Sequence, residues 1–545
     1  MRLFFTLICL SMTFVGWSQY EFQKPPNENQ YPVRGSVIPI TAGIAYQGYD
    51  ESQAYFGEGE YEIFLDVVDG VLDAPIIVLD GFDPGDGRDI SGLYASLGFG
   101  GENLADILRA EGYDIVILNA PQYTTGGKFI DGGADYIQRN AMVLIALIQE
   151  INAQKQGDEE LVVLGPSMGG LIARYALAYM EDNSLEHETR LYISFDSPHR
   201  GANIPISLQY LINYFAQQVG DPTAIAVVDD LLNSPAAKEM LIDHLLGHLL
   251  LGSPFEQDPT KLLPEGAPNF RDAFQGELDA LGFPQNVRNV TMINGSGNGT
   301  TTGTPGMTLV DTNLQIDVTT DVDVALKFTP AAGQTNTATD ITVNFFGIPI
   351  ETYEALAEST AASDGVDSSP GGTASVSAAL GGGGGNPVLQ DFIDALQQDT
   401  YSFIPTMSAL AIDNPDWFAI PDVNDSPFVN YYIPNENEDH VTVTAESAQF
   451  ALDEIRQTLG VSEATVEKDF YLLQNPIEGQ ILLKVPMGKN TISASIFSLT
   501  GQEVATKNWS NPSSRMEWEV ALASGVYLLQ VSDGNSQETL KLIVQ

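Results

Sequence analysis

Apolar and polar positions along this chain keep two different periods. Ala74–Leu79, Tyr113–Asn119, Leu161–Leu164, Leu191–Phe195 and Asn289–Asn294 are short, mostly apolar runs bounded by Gly, Pro, Asp or Asn, and they read as buried strands. Glu102–Glu111 and Tyr136–Ile151 instead read as helices; in the second, Ile137, Met142, Ile145 and Leu147 are available for one face. A third helical pattern starts at Leu171 and runs through Tyr175 and Leu177. Strands alternating with helices at this spacing predict an α/β protein with a doubly wound, mostly parallel sheet. Ligands and chemistry in such sheets sit at the carboxyl ends of the strands. Gly81–Phe82, Ser167 and Asp196 each fall at such an end, so the pattern predicts that they meet on one edge.

The stretch Glu160–Arg174 organises the rest. Its apolar run leads into Gly165-Pro166-Ser167-Met168-Gly169, a G-x-S-x-G sequence, and then into the helical pattern from Leu171. Strand, tight turn and helix are the setting in which that motif carries a nucleophilic serine. Side chains in place of the two glycines would collide with the strand and helix on either side. Ser167 would project at a helix N-terminus, where the partial positive charge favours a developing anion. The plainer reading is a strand-to-helix turn with a capping serine. If the serine is a nucleophile, the backbone N–H groups of Met168 and Phe82 are the expected oxyanion donors.

The remaining pattern divides the chain. Residues 1–18 carry one Arg, an apolar run to about Val15, then Gly16 and Ser18 before Gln19; this reads as a secretory signal peptide. No other apolar run is long enough to cross a bilayer. Residues 19–60 read as an N-terminal extension of low regularity, and 61–460 as the main domain. Within that domain, 202–286 is helical and Leu-rich, with Ser234-Pro235 as a helix start after which Leu241, Leu245 and Leu249 share a face. Residues 295–386 form an acidic insertion in which Leu314–Val318 and Ile341–Phe346 suggest exposed hairpins; Pro370–Gly372 and Gly381–Gly385 look like flexible loop. Residues 461–469 are a linker, and 470–545 alternate apolar and polar positions between Gly turns, as a small β-sandwich does.

Charge and cysteine use change the picture in two ways. With Lys+Arg 23 against Asp+Glu 72, the net charge of −49 argues against nucleic acid and against anionic membrane surfaces as partners. The single cysteine, Cys9, lies in the signal segment, so no disulfide or thiol chemistry is expected of the mature chain.

Leu79-Asp80-Gly81-Phe82, the Gly165–Gly169 turn and Ser197-Pro198-His199-Arg200-Gly201 together resemble α/β-hydrolases of the lipase/esterase kind. Asp80 stands where such lipases carry a histidine. Phe403–Leu410 is similar to a late segment of some lipases. The resemblance covers about 60–300 and 400–460, and it implies a helical cap or lid at 202–286; the plainer reading of that segment is an extra structural helical layer. Asn475-Pro476, Ile496–Val504, Ala523–Leu528 and Lys541–Gln545 resemble the C-terminal sorting domain of the type IX secretion system. That second resemblance implies a bacterium of the Bacteroidetes kind, the secretion machinery as a partner, and a product that is secreted or held at the cell surface.

A serine hydroxyl needs a base, and the base an orienting carboxylate. Of the five histidines, His187 reads as solvated, His199 as structural, and His244 and His248 as helix-surface residues rather than metal ligands. His440 follows the nucleophile in the order Ser, acid, His and is taken as the base. The strand at Asn289–Asn294 is followed by no carboxylate, only Asn298. Some lipases place the acid one strand early, so the resemblance implies Asp196, at the end of the strand next to the serine strand, with Asp399 and Asp367 as alternatives. Asp80, Asp83, Asp86 and Asp89 miss the calcium-loop spacing and read as a solvated loop. The whole implies an exported serine hydrolase acting on ester or lipid substrates without cofactor or metal. The rival readings are a peptidase or amidase on the same fold, and a surface binding protein that has lost catalysis.

Overall fold

The computed structural model describes residues 36–379, 387–457 and most of 470–544, in two compact units that divide at residues 456 and 457. The signal segment, the Gly381–Gly385 run and the 461–469 linker lie outside the described residues.

The first unit is built on an 8-stranded sheet. Its strands are β1 (Ile38–Tyr46), β2 (Tyr55–Phe64), β3 (Pro75–Leu79), β4 (Asp114–Asn119), β5 (Leu161–Pro166), β6 (Thr189–Phe195), β7 (Arg288–Met292) and β8 (Asn430–Tyr432). They lie in the order β1-β2-β4-β3-β5-β6-β7-β8. β1 and β2 run antiparallel to their neighbours, and every pairing from β4 to β8 is parallel. The central strands are apolar without alternation because both faces are covered. Ile77, Val116 and Val163 point into one core, with the helices Ile137–Gln154 and Met168–Asp182. Their chain neighbours Ile76, Ile115 and Val162 point into the other, with the helices Leu104–Ala110 and Ala445–Arg456. Each such aliphatic side chain contributes roughly 1.5–3 kcal/mol on burial.

Three expectations change here. The segment 19–60 is not irregular throughout, since β1 and the first part of β2 extend the main sheet. Their exposed positions, Pro39, Thr41, Gly43 and Phe56, are not uniformly polar, which masked the alternation that buries Ile40, Ala42 and Tyr61. Ser234 does cap a helix, accepting from the Ala237 N–H at 3.2 Å, but that helix is only Pro235–Met240. Leu241 is extended, and a separate short turn, Leu245–His248, follows, so the three leucines share no helix face. The insertion is more than exposed hairpins. Thr308–Gln315, Thr320–Lys327, Thr335–Phe345 and Ile348–Glu358 form a four-stranded antiparallel sheet. One face of it, with Leu314, Val324, Leu326 and Ile341, is buried against Leu208, Leu211 and Tyr214 of the helix Ile206–Tyr214.

The second unit contains a three-stranded and a four-stranded antiparallel sheet among its described residues. Phe470, Ile481, Leu483, Ile496, Trp518 and Leu529 share its core.

Candidate active site

β5 delivers Ser167 to the first turn of the helix Met168–Asp182 with φ 53° and ψ −127°. A non-glycine residue in that region is strained, and such strain persists only where the surroundings over-determine it. Here they do. A Cβ at Gly165 would collide with the Gly169 backbone, and one at Gly169 with the Asp80 carbonyl. The Ser167 N–H also donates to the Phe195 carbonyl at the end of β6, at 2.8 Å. The Gly81–Phe82 loop lies against the serine, a Cβ on Gly81 standing 3.1 Å from Ser167 Cβ. Met168 begins the helix directly after Ser167, and Phe82 directly follows Gly81.

The structure brings Ser167, His440 and Asp196 together. His440 Nε2 lies 2.9 Å from Ser167 Oγ, across 273 positions of chain. Its Nδ1 lies 2.7 Å from Asp196 Oδ2. With Asp196 ionised, Nδ1 carries the proton and Nε2 is left to accept from the serine. Asp196 follows β6 with φ 47° and is fully buried, and its other oxygen accepts the Asn294 N–H at 3.0 Å. The Phe403 ring packs edge-to-face with the imidazole, centroids 4.9 Å apart. Asp399 and Asp367 lie elsewhere: Asp399 accepts from Ser375 and Ser377, and Asp367 from Asn203 and Thr329. Among the described residues Asn298 bonds with its near neighbours Ser296 and Thr300.

Asp80, the residue in the place of the usual histidine, is buried rather than solvated. Its Oδ1 takes Arg88 Nη2 at 2.8 Å and the Gly81 N–H at 2.7 Å, and the same Arg88 nitrogen donates to the Phe82 carbonyl. The pair ties the Gly81–Phe82 loop down. Burial raises the Asp80 carboxyl to about 7 against the opposing pull of Arg88. Asp83 is also buried and accepts the Arg88 N–H, Asp86 accepts from Asn119, and Asp89 caps the helix Ile90–Ala95. The solvated-loop expectation fails for Asp80 and Asp83 because Arg88 folds back over both.

Two more expectations about histidines are corrected. His187 is buried and accepts the Thr189 N–H. His244 and His248 are buried, not on a helix surface. His244 caps the short turn, and His248 is paired with Asp243 and with the Lys261 carbonyl. That pairing raises the His248 imidazole to about 9 despite its burial. His199 is buried against Ser194, with its basicity lowered well below the ordinary range by burial.

Sequence reasoning missed Asn294. Its Nδ2 donates to Glu438 Oε2 and to the Thr442 carbonyl, so it grips the His440 loop on both sides. It also missed Gly372, which lies against the Asp196 carboxylate, and Thr373, which meets the same loop. Asn294 sits at the end of a recognisable strand and was there to be found; Gly372 and Thr373 gave no signal.

The strand order and the serine turn define an α/β-hydrolase fold, and the second unit a sorting domain. Residues 126–224 match the PGAP1-like alpha/beta domain, and 474–545 match the secretion system C-terminal sorting domain. That sorting domain, of the type IX system, implies export to the cell surface or beyond. No curated protein matches the chain. Among solved structures, the chain is similar to the Bacillus licheniformis lipase BlEst2 in its propeptide form. There identity is 11%, coverage 84% of this chain and 75% of that one, and the TM-score 0.32. It is similar to the rice cell wall degrading esterase LipA from Xanthomonas oryzae, at 13% identity, 48% and 75% coverage and a TM-score of 0.26. Est1E from Butyrivibrio proteoclasticus is similar at 11% identity, 47% and 77% coverage and a TM-score of 0.24. Among the described residues no helix is long and apolar enough to cross a membrane.

Proposed function

We propose that this protein is an exported serine hydrolase that cleaves carboxylic esters through an acyl-enzyme, using no cofactor. The observation that carries the reading is the continuous chain Ser167 Oγ to His440 Nε2 at 2.9 Å and His440 Nδ1 to Asp196 Oδ2 at 2.7 Å. In this reading His440 takes the hydroxyl proton as Ser167 attacks the ester carbonyl, and Asp196 stabilises the imidazolium that forms. The N–H groups of Met168 and Phe82 hold the oxyanion, each contributing roughly 3 kcal/mol to the transition state. His440 then returns the proton to the departing alcohol. Water, activated by the same imidazole, releases the acid. Segment 1–18 acts as the signal peptide and 470–545 delivers the protein to the secretion machinery.

The test is hydrolysis of p-nitrophenyl esters beside matched p-nitroanilides by the wild-type protein and Ser167→Ala. Ester turnover that disappears in the variant is expected. Full ester activity in Ser167→Ala contradicts the reading, and faster anilide than ester turnover assigns the site to amides instead.

A further inference from the structure

We propose that the return strand of the acidic insertion is part of the active site, with Gly372 and Thr373 as positioning residues for Asp196 and His440. The inference rests on the serine-hydrolase reading above and gives the insertion a role in it.

The insertion leaves the main domain after β7 and comes back through Gly371–Ser375. That strand pairs antiparallel with Thr400–Pro405, the strand that places Phe403 on the His440 ring. On its other side it meets the His440 loop directly. The Thr373 N–H donates to the Glu438 carbonyl and the His440 N–H donates to the Thr373 carbonyl, both at 2.9 Å. The Thr373 hydroxyl donates to Asp439 Oδ1 at 2.7 Å. Thr373 therefore grips the three residues ending at the imidazole by main chain and side chain together. A loop bound only to solvent would let the ring turn, and misplacement of a reacting group by 1 Å costs about 100-fold in rate.

Gly372 does the matching work on the acid. It lies so close to Asp196 that a Cβ would overlap the carboxylate, Oδ2 first. Oδ2 is the oxygen that faces His440 Nδ1. The bare α-carbon thus forms a wall of the slot that holds the carboxylate, opposite the Asn294 N–H on Oδ1. One strand contacts the acid through one residue and the base's loop through the next. Its position sets the distance between them.

The test compares the full-length wild-type protein with Gly372→Ala, Thr373→Val, Thr373→Ser and, as a control on the exposed tip of the insertion, Phe346→Ser. Three quantities are read: the kcat and KM for a p-nitrophenyl ester, the melting temperature, and the far-downfield proton signal of a histidine Nδ1–H shared with a carboxylate. Gly372→Ala is expected to lower kcat about 100-fold with KM little changed, and to remove or move the downfield signal. Thr373→Val is expected to lower kcat roughly tenfold, the worth of about one hydrogen bond, with Thr373→Ser restoring it. Phe346→Ser leaves all three unchanged. If Gly372→Ala does not fold, the Val and Ser pair decides. A folded Thr373→Val or Gly372→Ala with wild-type kcat and an unmoved signal overturns the inference. Wild-type protein with no ester hydrolysis overturns instead the reading on which it rests.

Discussion

The serine turn and the histidine loop reach the same few ångströms of space by opposite routes. Ser167 is fixed by its own neighbours in sequence: β5 before it, a helix after it, and glycines at 165 and 169 where a Cβ would strike backbone. His440 is fixed by segments far away in the chain, with Thr373, Asn294 and Phe403 each holding part of its loop. A turn that is locally over-determined can store strain. The histidine loop is strained as well, at Val441 with φ 53°, but the supports that hold that strain lie far away in sequence. The difference teaches that a candidate nucleophile can be picked out of a pentapeptide, whereas the base proposed for it is placed by the whole fold.

The sharpest way to break this comparison is to remove the reacting atoms. Ser167→Ala should cost about 10⁶ in kcat, and Asp196→Asn about 10⁴ by favouring the wrong tautomer of His440. Steady-state ester hydrolysis checks both. The next largest effect is on the local side. Gly169→Ala places a Cβ within 2.6 Å of the Asp80 carbonyl and should destabilise the fold by about 1–3 kcal/mol in urea unfolding, with loss of activity. On the distant side, Asn294→Ala removes two bonds to the His440 loop but keeps its own N–H on Asp196. It should lower kcat roughly tenfold with little change in melting temperature.

The smallest effect on activity comes from His248, a second buried histidine–aspartate pair that does not face Ser167. Its imidazole is raised to about 9, with Asp243 and Glu265 as the acidic groups beside it and the Lys261 carbonyl on Nδ1. A raised basic group stabilises the fold fully below its unfolded value of about 6.5 and loses that contribution as pH rises through about 9. The wild-type melting temperature should therefore fall between pH 7 and 9. His248→Gln should flatten that slope and leave ester hydrolysis at pH 7 unchanged.

How much of this was legible follows the same division. The central strands and the serine turn could be read because buried parallel strands are apolar without interruption and the G-x-S-x-G signal is local. β1 and β2 were missed because edge strands mix polar and apolar positions. Asp196 could be proposed from its place after a strand, and His440 from its order in the chain, and the two lie within hydrogen-bond reach. What could not be read was what holds them. Thr373 lies 66 positions before Asp439 and belongs to a stretch whose glycines suggest loose loop. Those glycines are there because Asp196 and the Thr400–Pro405 strand leave no room for a side chain. The burial of His244 and His248 was likewise invisible, since the chain there leaves the continuous helix that the pattern implied, and His187 was masked by the charged stretch around it.

The claim that Ser167, His440 and Asp196 act as one unit is tested most directly by a fluorophosphonate. The wild-type protein is incubated with the reagent, digested, and the modified residue located by mass spectrometry; the labelling rate is then measured in Asp196→Asn. The account predicts one adduct, on Ser167, formed at a rate that drops steeply in the variant. An adduct on another serine, no adduct, or a rate indifferent to Asp196 would contradict it.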